Sequence, residues 1–285
     1  MTRRALLEQT LARLQEAGIE EARRNAEWLL EEGLGASRVE ILARPEAPVS
    51  TGEALQVEAL VARRLRREPL QYVLGHADFF GLRLRVTPAV LIPRPETEEV
   101  AEDALRRLDG RETPWALDVG TGSGALALAL KHRRPDAEVF ACDVSEAALA
   151  VAADNAERLG LAVSFVQGDV LDPAFGHDAP PSFDLVVSNP PYVPETERAT
   201  LAPEVRDHEP AEALFVPGDD PLVFYRTLAA RAPDLLKPGG WLVVETHADH
   251  GEAVRDLFAG AGLREAALRR DLAGRPRIVS ARLSP

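Results

Sequence analysis

The chain has 285 residues, 46% of them hydrophobic, which is enough to build one large domain and one small one around buried cores. Its formal net charge of -13 and its pI near 5.0 disfavour binding to the phosphate backbone of free nucleic acid. The amino terminus is too polar for a secretory signal, and no apolar run approaches the ~20 residues that cross a bilayer. Since Cys142 is the only cysteine, no intrachain disulfide can form, and we expect a cytoplasmic protein without a membrane partner.

The amino-terminal region, residues 1–74, has the pattern of a small helical bundle. Its first 68 residues contain no strand-like alternation, and their apolar residues recur at helical spacing. Ser37 with Glu40, and Ser50 with Glu53, have the spacing of capping boxes, in which the two side chains satisfy free backbone donors at a helix start. These signals predict four or five packed helices.

A basic run near the end of this region consists of Arg64, Arg66 and Arg67. Such a run is usually a solvated face of a helix, although it can also bind an acidic surface on a partner protein. The sequence leaves both interpretations open.

The pattern changes over residues 75–94, which follow the helical region. Here Leu82 and Leu84 alternate with Arg83 and Arg85, at the period of a β-strand. We therefore predict a short β-hairpin that links two domains.

From residue 95 to residue 285, apolar strands alternate with helices. This alternation predicts an α/β domain with a mostly parallel, Rossmann-like sheet of seven strands and helices on both faces. The expected strands are WALDVG, AEVFACD, AVSFVQGD, FDLVVSN, GWLVVE and two strands around Leu268 and Ile278. The predicted fold class is thus α/β, preceded by an all-α bundle.

The segment LDVGTGSG completes the first of these strands and opens a helix. Glycines at such a turn let a ligand approach the backbone, and the helix start offers free N–H groups. The glycine spacing is one residue shorter than in the dinucleotide fingerprint. With an acidic residue before it, the spacing is similar to motif I of class I methyltransferases. It predicts contacts to S-adenosylmethionine from Asp118, Gly120, Thr121, Gly122, Ser123 and Gly124.

Two further strands end in acidic residues that should face the same ligand. Asp143 ends the second strand, where a carboxylate can accept hydrogen bonds from both ribose hydroxyls. Asp169 and Val170 follow the third strand, at the position that contacts the adenine amine in class I methyltransferases. The alternative for Asp143 is a cap on the next helix, although Ser145 can provide that cap.

The sequence does not favour a nucleophilic cysteine or a histidine metal site. Cys142 lies within an apolar strand, which indicates an inert core thiol. His247 and His250 are three residues apart on a predicted helix, but no third ligand lies close in sequence. We therefore predict no metal site.

Asn189, Pro190, Pro191 and Tyr192 follow the apolar strand FDLVVS and are predicted to form the catalytic loop. An amide or aromatic amine nitrogen shares its lone pair with a π system, so its NH2 group must be held and polarised before it accepts a methyl group. The Asn189 side-chain oxygen and the Pro190 carbonyl can each accept one N–H bond. Two prolines make the loop rigid, and Tyr192 can pack its ring on a planar substrate group. Asn189 is also expected to contact the cofactor.

The chain resembles the release factor glutamine methyltransferase family over essentially its whole length. The resemblance rests on GHADFFGLRLRVTPAVLIPRPETEEV, LDVGTGSG, SNPPYV and EVRDHEPAEALFVPGDD, and residues 92–98 are especially specific. It implies that the substrate is the glutamine of a Gly-Gly-Gln motif in class 1 peptide chain release factors, and that the helical region holds this partner. The substrate contacts that it implies are Arg94, Asn189, Pro190, Pro191 and Tyr192.

Two other functions remain open from the sequence. The Asn189 loop is shared with adenine amino-methyltransferases of DNA and RNA, but the acidic charge and the absence of a basic target-recognition domain oppose that activity. A non-catalytic S-adenosylmethionine-binding partner of the translation machinery would keep the glycine loop without needing Asn189.

Overall fold

The computed structural model describes residues 1–175, 182–218 and 220–285. It divides into two compact units, one of Met1–His76 with Ala202–His208 and the other of Ala77–Leu201 with Glu209–Pro285. The sequence predicts a helical region that ends at residue 74. It does not predict that Ala202–His208 belongs to this region. Asp219, in the last of the segments that carry the family resemblance, lies outside the described residues.

The first unit is helical. Its helices are α1 (Arg3–Glu16), α2 (Ala22–Leu34), α3 (Arg38–Ala43), α4 (Thr51–Leu65), α5 (Leu70–Leu74) and the short α9 (Pro203–His208). Ser37 and Ser50 each accept a hydrogen bond from the backbone of the glutamate three residues on, whose carboxylate accepts one from the serine N–H in return. Both predicted capping boxes are thus confirmed, and the predicted bundle has five helices from α1 to α5.

Helices α2 and α4 cross closely at Gly33. A Cβ on this glycine would lie 2.6 Å from Val57 Cγ2 and 3.0 Å from the Val57 Cα, which is closer than such atoms can approach. Larger apolar side chains fill the rest of the core, where Leu14, Leu29 and Leu30 are fully buried. The glycine therefore allows the close helix packing on which this small core depends.

The basic run at the end of α4 is largely engaged within the helical unit. Arg64 is only 5% exposed, and its guanidinium donates to Asn25 Oδ1 at 2.8 Å and to Glu204 Oε1 at 3.0 Å. Arg67 donates to the same Glu204 oxygen at 3.2 Å. Arg64 therefore fits neither of the two predicted interpretations, because it holds α9 inside this unit, and of the three arginines only Arg66 is exposed.

The remaining chain forms a hairpin and a seven-stranded sheet. The hairpin pairs β1 (His76–Phe79) with β2 (Leu82–Arg85), and its Leu82 and Leu84 side chains are buried, as the alternation predicts. The strands of the large sheet are β3 (Trp115–Val119), β4 (Glu138–Asp143), β5 (Ser164–Gln167), β6 (Phe183–Ser188), β7 (Leu236–Glu245), β8 (Arg264–Arg270) and β9 (Pro276–Arg282). Their order is β5–β4–β3–β6–β7–β9–β8; β9 runs antiparallel to both β7 and β8, and the other strands of the sheet share one direction. The predicted fold class is confirmed.

Helices cover both faces of the large sheet. They are α6 (Pro95–Arg107), α7 (Ala125–Arg133), α8 (Glu146–Leu159), α11 (Val223–Leu235) and α12 (Gly251–Gly260), and the short α10 (Ala211–Leu214) precedes α11. Because successive strand residues point to opposite faces, Ala116 joins a core with Val100 of α6, whereas Leu117 joins a second core with Leu228 of α11 and Phe258 of α12. Within the described ranges, no helix has the length and apolar character needed to cross a bilayer.

Candidate active site

A cleft opens at the carboxyl ends of the parallel strands, where the strand order reverses between β3 and β6. Open α/β sheets bind their ligands at this position. The predicted site residues in its wall are Arg94, Asp118, Gly120, Thr121, Gly122, Ser123, Asp143, Asp169, Val170, Asn189, Pro190 and Pro191. Gly124 and Tyr192 are the two predicted site residues that do not line the cleft among the described residues.

The glycine loop leaves space in front of its backbone. Gly120 and Gly122 have φ angles of +75° and +55°, and apart from the adjoining residues no described atom lies within 4 Å of where a Cβ would stand on either glycine. The Gly120 and Thr121 N–H groups donate to the Cys142 carbonyl at 2.9 and 3.0 Å, which ties the loop to β4. A ligand can therefore approach this backbone closely.

Gly124 serves packing instead. It precedes α7 with a φ of +84°, and a Cβ on it would lie 3.0 Å from Leu128 Cδ1 and 3.2 Å from Ala152 Cβ. It does not line the described cleft, so its predicted contact with the cofactor stays a prediction.

Asp118 presents an unpartnered carboxylate oxygen at the base of the cleft. Its Oδ2 accepts hydrogen bonds from Thr121 Oγ1 at 2.7 Å and from the Ala127 N–H at 3.1 Å. Its Oδ1 is buried and has no hydrogen-bond partner in the described part of the chain. Burial raises the pKa of this carboxyl to about 7. A buried acceptor of this kind is suited to a cationic group of a ligand.

Asp143 connects the glycine loop with the start of α8. Its Oδ2 accepts from the Gly122 N–H at 2.8 Å, and its Oδ1 accepts from the Ser145 N–H at 3.0 Å. Ser145 itself caps α8, because its side chain accepts from the Ala148 N–H. Burial raises the pKa of the Asp143 carboxyl. Each carboxylate oxygen keeps a lone pair that can accept a hydrogen bond from the cleft.

Asp169 and Val170 form the far side of the cleft, beyond β5. Asp169 is exposed, and its Oδ1 accepts from the Leu171 N–H at 2.8 Å. Val170 is 7% exposed and packs in the core that also contains Cys142. The pair can thus offer a polar edge and an apolar surface to a flat ring.

The Asn189 loop forms the wall opposite these strands. The Ser188 hydroxyl donates to the Val119 carbonyl at 2.7 Å, which joins the end of β6 to that of β3. The Asn189 Nδ2 donates to Thr97 Oγ1 at 3.3 Å. Pro190 is buried, and both prolines line the cleft. With Nδ2 engaged, the Asn189 Oδ1 remains the acceptor of this side chain.

Tyr192 is turned towards the interior. Its hydroxyl donates to Glu245 Oε1 at 3.3 Å, and its ring lies 5.9 Å from the His247 ring between centroids. Burial, followed by the neighbouring Glu245 carboxylate, raises the Tyr192 pKa, so the phenol stays neutral. Tyr192 is not among the described residues that line the cleft, so the packing of its ring on a planar substrate group stays a prediction.

Three residues near the site carry contacts that the sequence did not assign. Thr97 and Glu245 lie behind the Asn189 loop and share a hydrogen bond of 2.6 Å. Glu209 is buried and accepts from Arg94 Nη2 at 2.5 Å and from the Ile92 N–H at 3.1 Å. Of these three residues, Glu245 could have been found from the sequence by its position, because it is an acidic residue at the end of the buried strand GWLVVE.

The two histidines and the cysteine lie outside the cleft wall. His247 and His250 precede α12 in a turn, so the predicted helix does not include them. The described residues contain no cluster of three His, Cys, Asp or Glu side chains that could hold a metal ion. Cys142 is buried in β4, and burial raises its thiol pKa to about 12, as expected of an inert core residue.

The charges around the cleft favour a cationic ligand. Its wall contains the carboxylates of Asp118, Asp143, Asp169 and Glu212, whereas Arg94 is the one cationic side chain among its described residues. Such a wall attracts a positively charged small molecule and repels a phosphate backbone.

This sheet order, with a glycine loop at the reversal point and carboxylates beside it, defines a class I S-adenosylmethionine-dependent methyltransferase. Two family models match the chain: the PrmC N-terminal domain over residues 5–75 and the methyltransferase small domain over residues 102–267. The chain belongs to the release factor glutamine methyltransferase family.

Curated relatives of that name match nearly the full length. The protein from Geobacter sulfurreducens is 42% identical over 99% of this chain and 97% of its own, and that from Moorella thermoacetica is 44% identical over 99% and 98%. Among solved structures, a methyltransferase from Pyrococcus furiosus aligns with a TM-score of 0.53 and 19% identity, covering 79% of this chain and 98% of that one. This last likeness shows the fold alone.

The cofactor is S-adenosylmethionine, and the cleft residues fit its groups. We propose that the unpartnered Asp118 Oδ1 and the open backbone at Gly120 and Gly122 would hold the amino-acid portion. We propose that Asp143 would accept the ribose hydroxyls and that Asp169 with Val170 would contact the adenine. When bound, the cofactor supplies a methyl group on a sulfonium, which already has a good leaving group.

We expect cofactor affinity to depend on pH through Asp118. Since burial raises the pKa of this carboxyl to about 7, part of it is protonated near neutrality, and a cationic ligand favours the ionised form. The dissociation constant should therefore rise as pH falls below 7, approaching about tenfold per pH unit. Calorimetry between pH 5.5 and 7.5 measures this dependence while the cofactor ammonium stays charged.

Asp118→Asn provides the control for this titration. It should bind more weakly at all these pH values and lose most of the slope, because the amide does not ionise. A wild-type affinity that is constant over the range would contradict the assigned role of Asp118.

Proposed function

We propose that the protein transfers the methyl group of S-adenosylmethionine to the side-chain amide nitrogen of the glutamine in the Gly-Gly-Gln motif of class 1 peptide chain release factors. The supporting observation is the orientation of Asn189, whose Nδ2 donates to Thr97 at 3.3 Å and leaves Oδ1 free to accept. The relatives that match the chain almost end to end carry the corresponding name. An amide NH2 group has the two donors that Asn189 Oδ1 and the Pro190 carbonyl require.

The chemistry that these residues perform is mainly positioning. A glutamine amide nitrogen is a poor nucleophile because its lone pair is delocalised into the carbonyl. Two acceptors on its N–H bonds raise the electron density on nitrogen and direct it at the methyl group. The rigid Pro190–Pro191 backbone fixes one acceptor, and the Thr97 contact fixes the other. The nitrogen–carbon bond forms as the bond between the methyl carbon and sulfur breaks, a thioether is the leaving group, and the nitrogen loses one N–H proton to solvent, so no covalent intermediate with the protein is needed.

A methylation assay tests this function against its two alternatives. Labelled cofactor is incubated with an intact release factor, with the same factor carrying alanine in place of the motif glutamine, and with adenine-containing DNA or RNA. Label on the intact factor alone supports the proposal. Label on nucleic acid would favour an adenine methyltransferase, and cofactor binding without transfer would favour a non-catalytic partner.

We propose that the helical region, residues 1–74, docks the release factor. Val39 and Leu42 lie three residues apart on α3 and are 75% and 45% exposed, so they form an apolar surface on this unit. Replacing both with glutamate should raise the KM for intact release factor roughly tenfold, because two apolar contacts are lost. The KM for a short Gly-Gly-Gln peptide should stay unchanged.

Leu272→Glu is the matched control, since Leu272 is 95% exposed in the other unit. Steady-state kinetics on both substrates separates the outcomes. Equal effects of the α3 variant on protein and peptide turnover would contradict a docking role for this surface. The proposed reaction belongs in the cytoplasm, because its protein substrate acts in translation.

A further inference from the structure

A buried carboxylate lies directly behind the Asn189 loop. Glu245 ends β7 and is 1% exposed. Its Oε2 accepts from Thr97 Oγ1 at 2.6 Å, and its Oε1 accepts from the Tyr192 hydroxyl at 3.3 Å. Thr97 in turn accepts from Asn189 Nδ2 at 3.3 Å. The first and the last residue of the Asn-Pro-Pro-Tyr loop are therefore both connected to this one side chain.

The order of donors and acceptors in this network follows from the carboxylate. Burial raises the pKa of the Glu245 carboxyl, whereas the hydrogen bond from Thr97, the nearby Arg277 and the hydrogen bond from Tyr192 favour its ionised form. The Thr97 hydroxyl directs its single proton at Glu245 Oε2, as an ionised carboxylate requires because it can only accept hydrogen bonds. The Thr97 oxygen can then only accept from the Asn189 amide. Nδ2 of Asn189 must therefore face Thr97, and Oδ1 must take the other side of the amide plane.

Reversal of the Asn189 amide would bring two acceptors together. Oδ1 would then face Thr97 Oγ1, whose proton is already donated to Glu245. The threonine could donate to Asn189 only if it gave up its hydrogen bond to the buried carboxylate. Losing a partner at a buried charge is costly. The correct orientation is thus held by a charge that lies outside the cleft wall.

We propose that Glu245, acting through Thr97, is a positioning residue that sets the orientation of the Asn189 amide, so that its oxygen and not its nitrogen meets the target NH2 group. The inference rests on the proposed function, because it concerns the acceptor that this reaction uses. Neither Thr97 nor Glu245 needs to touch the reacting atoms for this role.

Thr97→Val tests the network, because it keeps the shape of the side chain and removes the hydroxyl. The rate of the methyl-transfer step at saturating cofactor should fall at least about tenfold, since a misdirected acceptor no longer aligns the nitrogen. Cofactor affinity should change less than about threefold. Thr97→Ser restores the hydroxyl and should recover most of the rate. Thr227→Val removes a hydroxyl whose bond lies within α11, and it should leave the rate unchanged.

A double-mutant cycle with Asn189→Ala separates positioning from general destabilisation. If Thr97 acts through Asn189, Thr97→Val should cause no further loss in the Asn189→Ala background. Glu245→Leu removes both acceptor oxygens, enters the same cycle and should behave like Thr97→Val, which keeps the test valid should either variant fold poorly. Melting temperatures identify the variants that are folded.

The outcomes are distinct. Suppose that the wild-type protein methylates the glutamine substrate. A wild-type rate in folded Thr97→Val, or additive losses in both cycles, would then overturn the positioning role alone. Absence of any transfer by the wild-type protein would overturn the proposed function and this inference with it. Non-additive losses with serine rescue are the expected result.

Discussion

Asn189→Ala is expected to slow the methyl-transfer step at least about 10²-fold, equivalent to roughly 2.7 kcal/mol of lost transition-state positioning. The side chain provides one of two acceptors for the target amide, and its Nδ2 is engaged by Thr97. Cofactor affinity should change only a few-fold. Single-turnover rates at saturating cofactor and glutamine substrate, measured alongside melting temperatures, test this expectation.

Asn189→Asp is the informative companion variant. It keeps an acceptor oxygen towards the substrate, so it should be less damaging than alanine. Its second oxygen, however, faces Thr97 Oγ1, whose proton is engaged by Glu245, and its charge adds to an acidic cleft. We therefore expect a rate between those of alanine and wild type. A folded Asn189→Ala enzyme with a near wild-type rate would refute the mechanism.

The second large effect is expected at the cofactor. Asp143→Ala should weaken S-adenosylmethionine binding by roughly 2 to 3 kcal/mol, or roughly 30- to 150-fold, the scale of charge-assisted hydrogen bonds. The structure adds a second cause, because this carboxylate also holds the Gly122 and Ser145 N–H groups at 2.8 and 3.0 Å. Calorimetry gives the affinity.

Asp136→Ala is a suitable control for this measurement. Asp136 is exposed, lies just before the strand that Asp143 ends, and pairs with Arg134. It should leave cofactor affinity unchanged. If Asp143→Ala also bound the cofactor as tightly as wild type, Asp143 would not belong to the cofactor site.

The acidic and amide residues at the strand ends can be predicted from the sequence. Asp118, Asp143 and Asn189 were each recognisable because a short apolar strand ends beside them, and the parallel sheet brings such ends to one edge. Tyr192 shows the limit of this reasoning. Its motif position predicts a ring that packs on the substrate, and it gives no sign that a carboxylate 53 residues further along the chain binds the hydroxyl.

The asparagines also differ in whether their roles can be predicted from the sequence. Asn25 and Asn155 carry no motif, yet Asn25 accepts from the buried Arg64, and Asn155 joins the backbone of Arg85 to that of Ser123. Only Asn189 was identified from the sequence, because it alone precedes a proline pair after a strand.

The sequence by itself determined the fold class, the two-part organisation, the glycine loop and the reaction chemistry. Each of these depends on signals within a few residues: the periods of strands and helices, the capping boxes and the short motifs. The tertiary structure alone decided which distant partners complete the site. Thr97 meets Glu245 across 148 residues, and Arg94 meets Glu209 across 115. Such pairings depend on how the sheet orders its strands, and local propensity carries no information about that order.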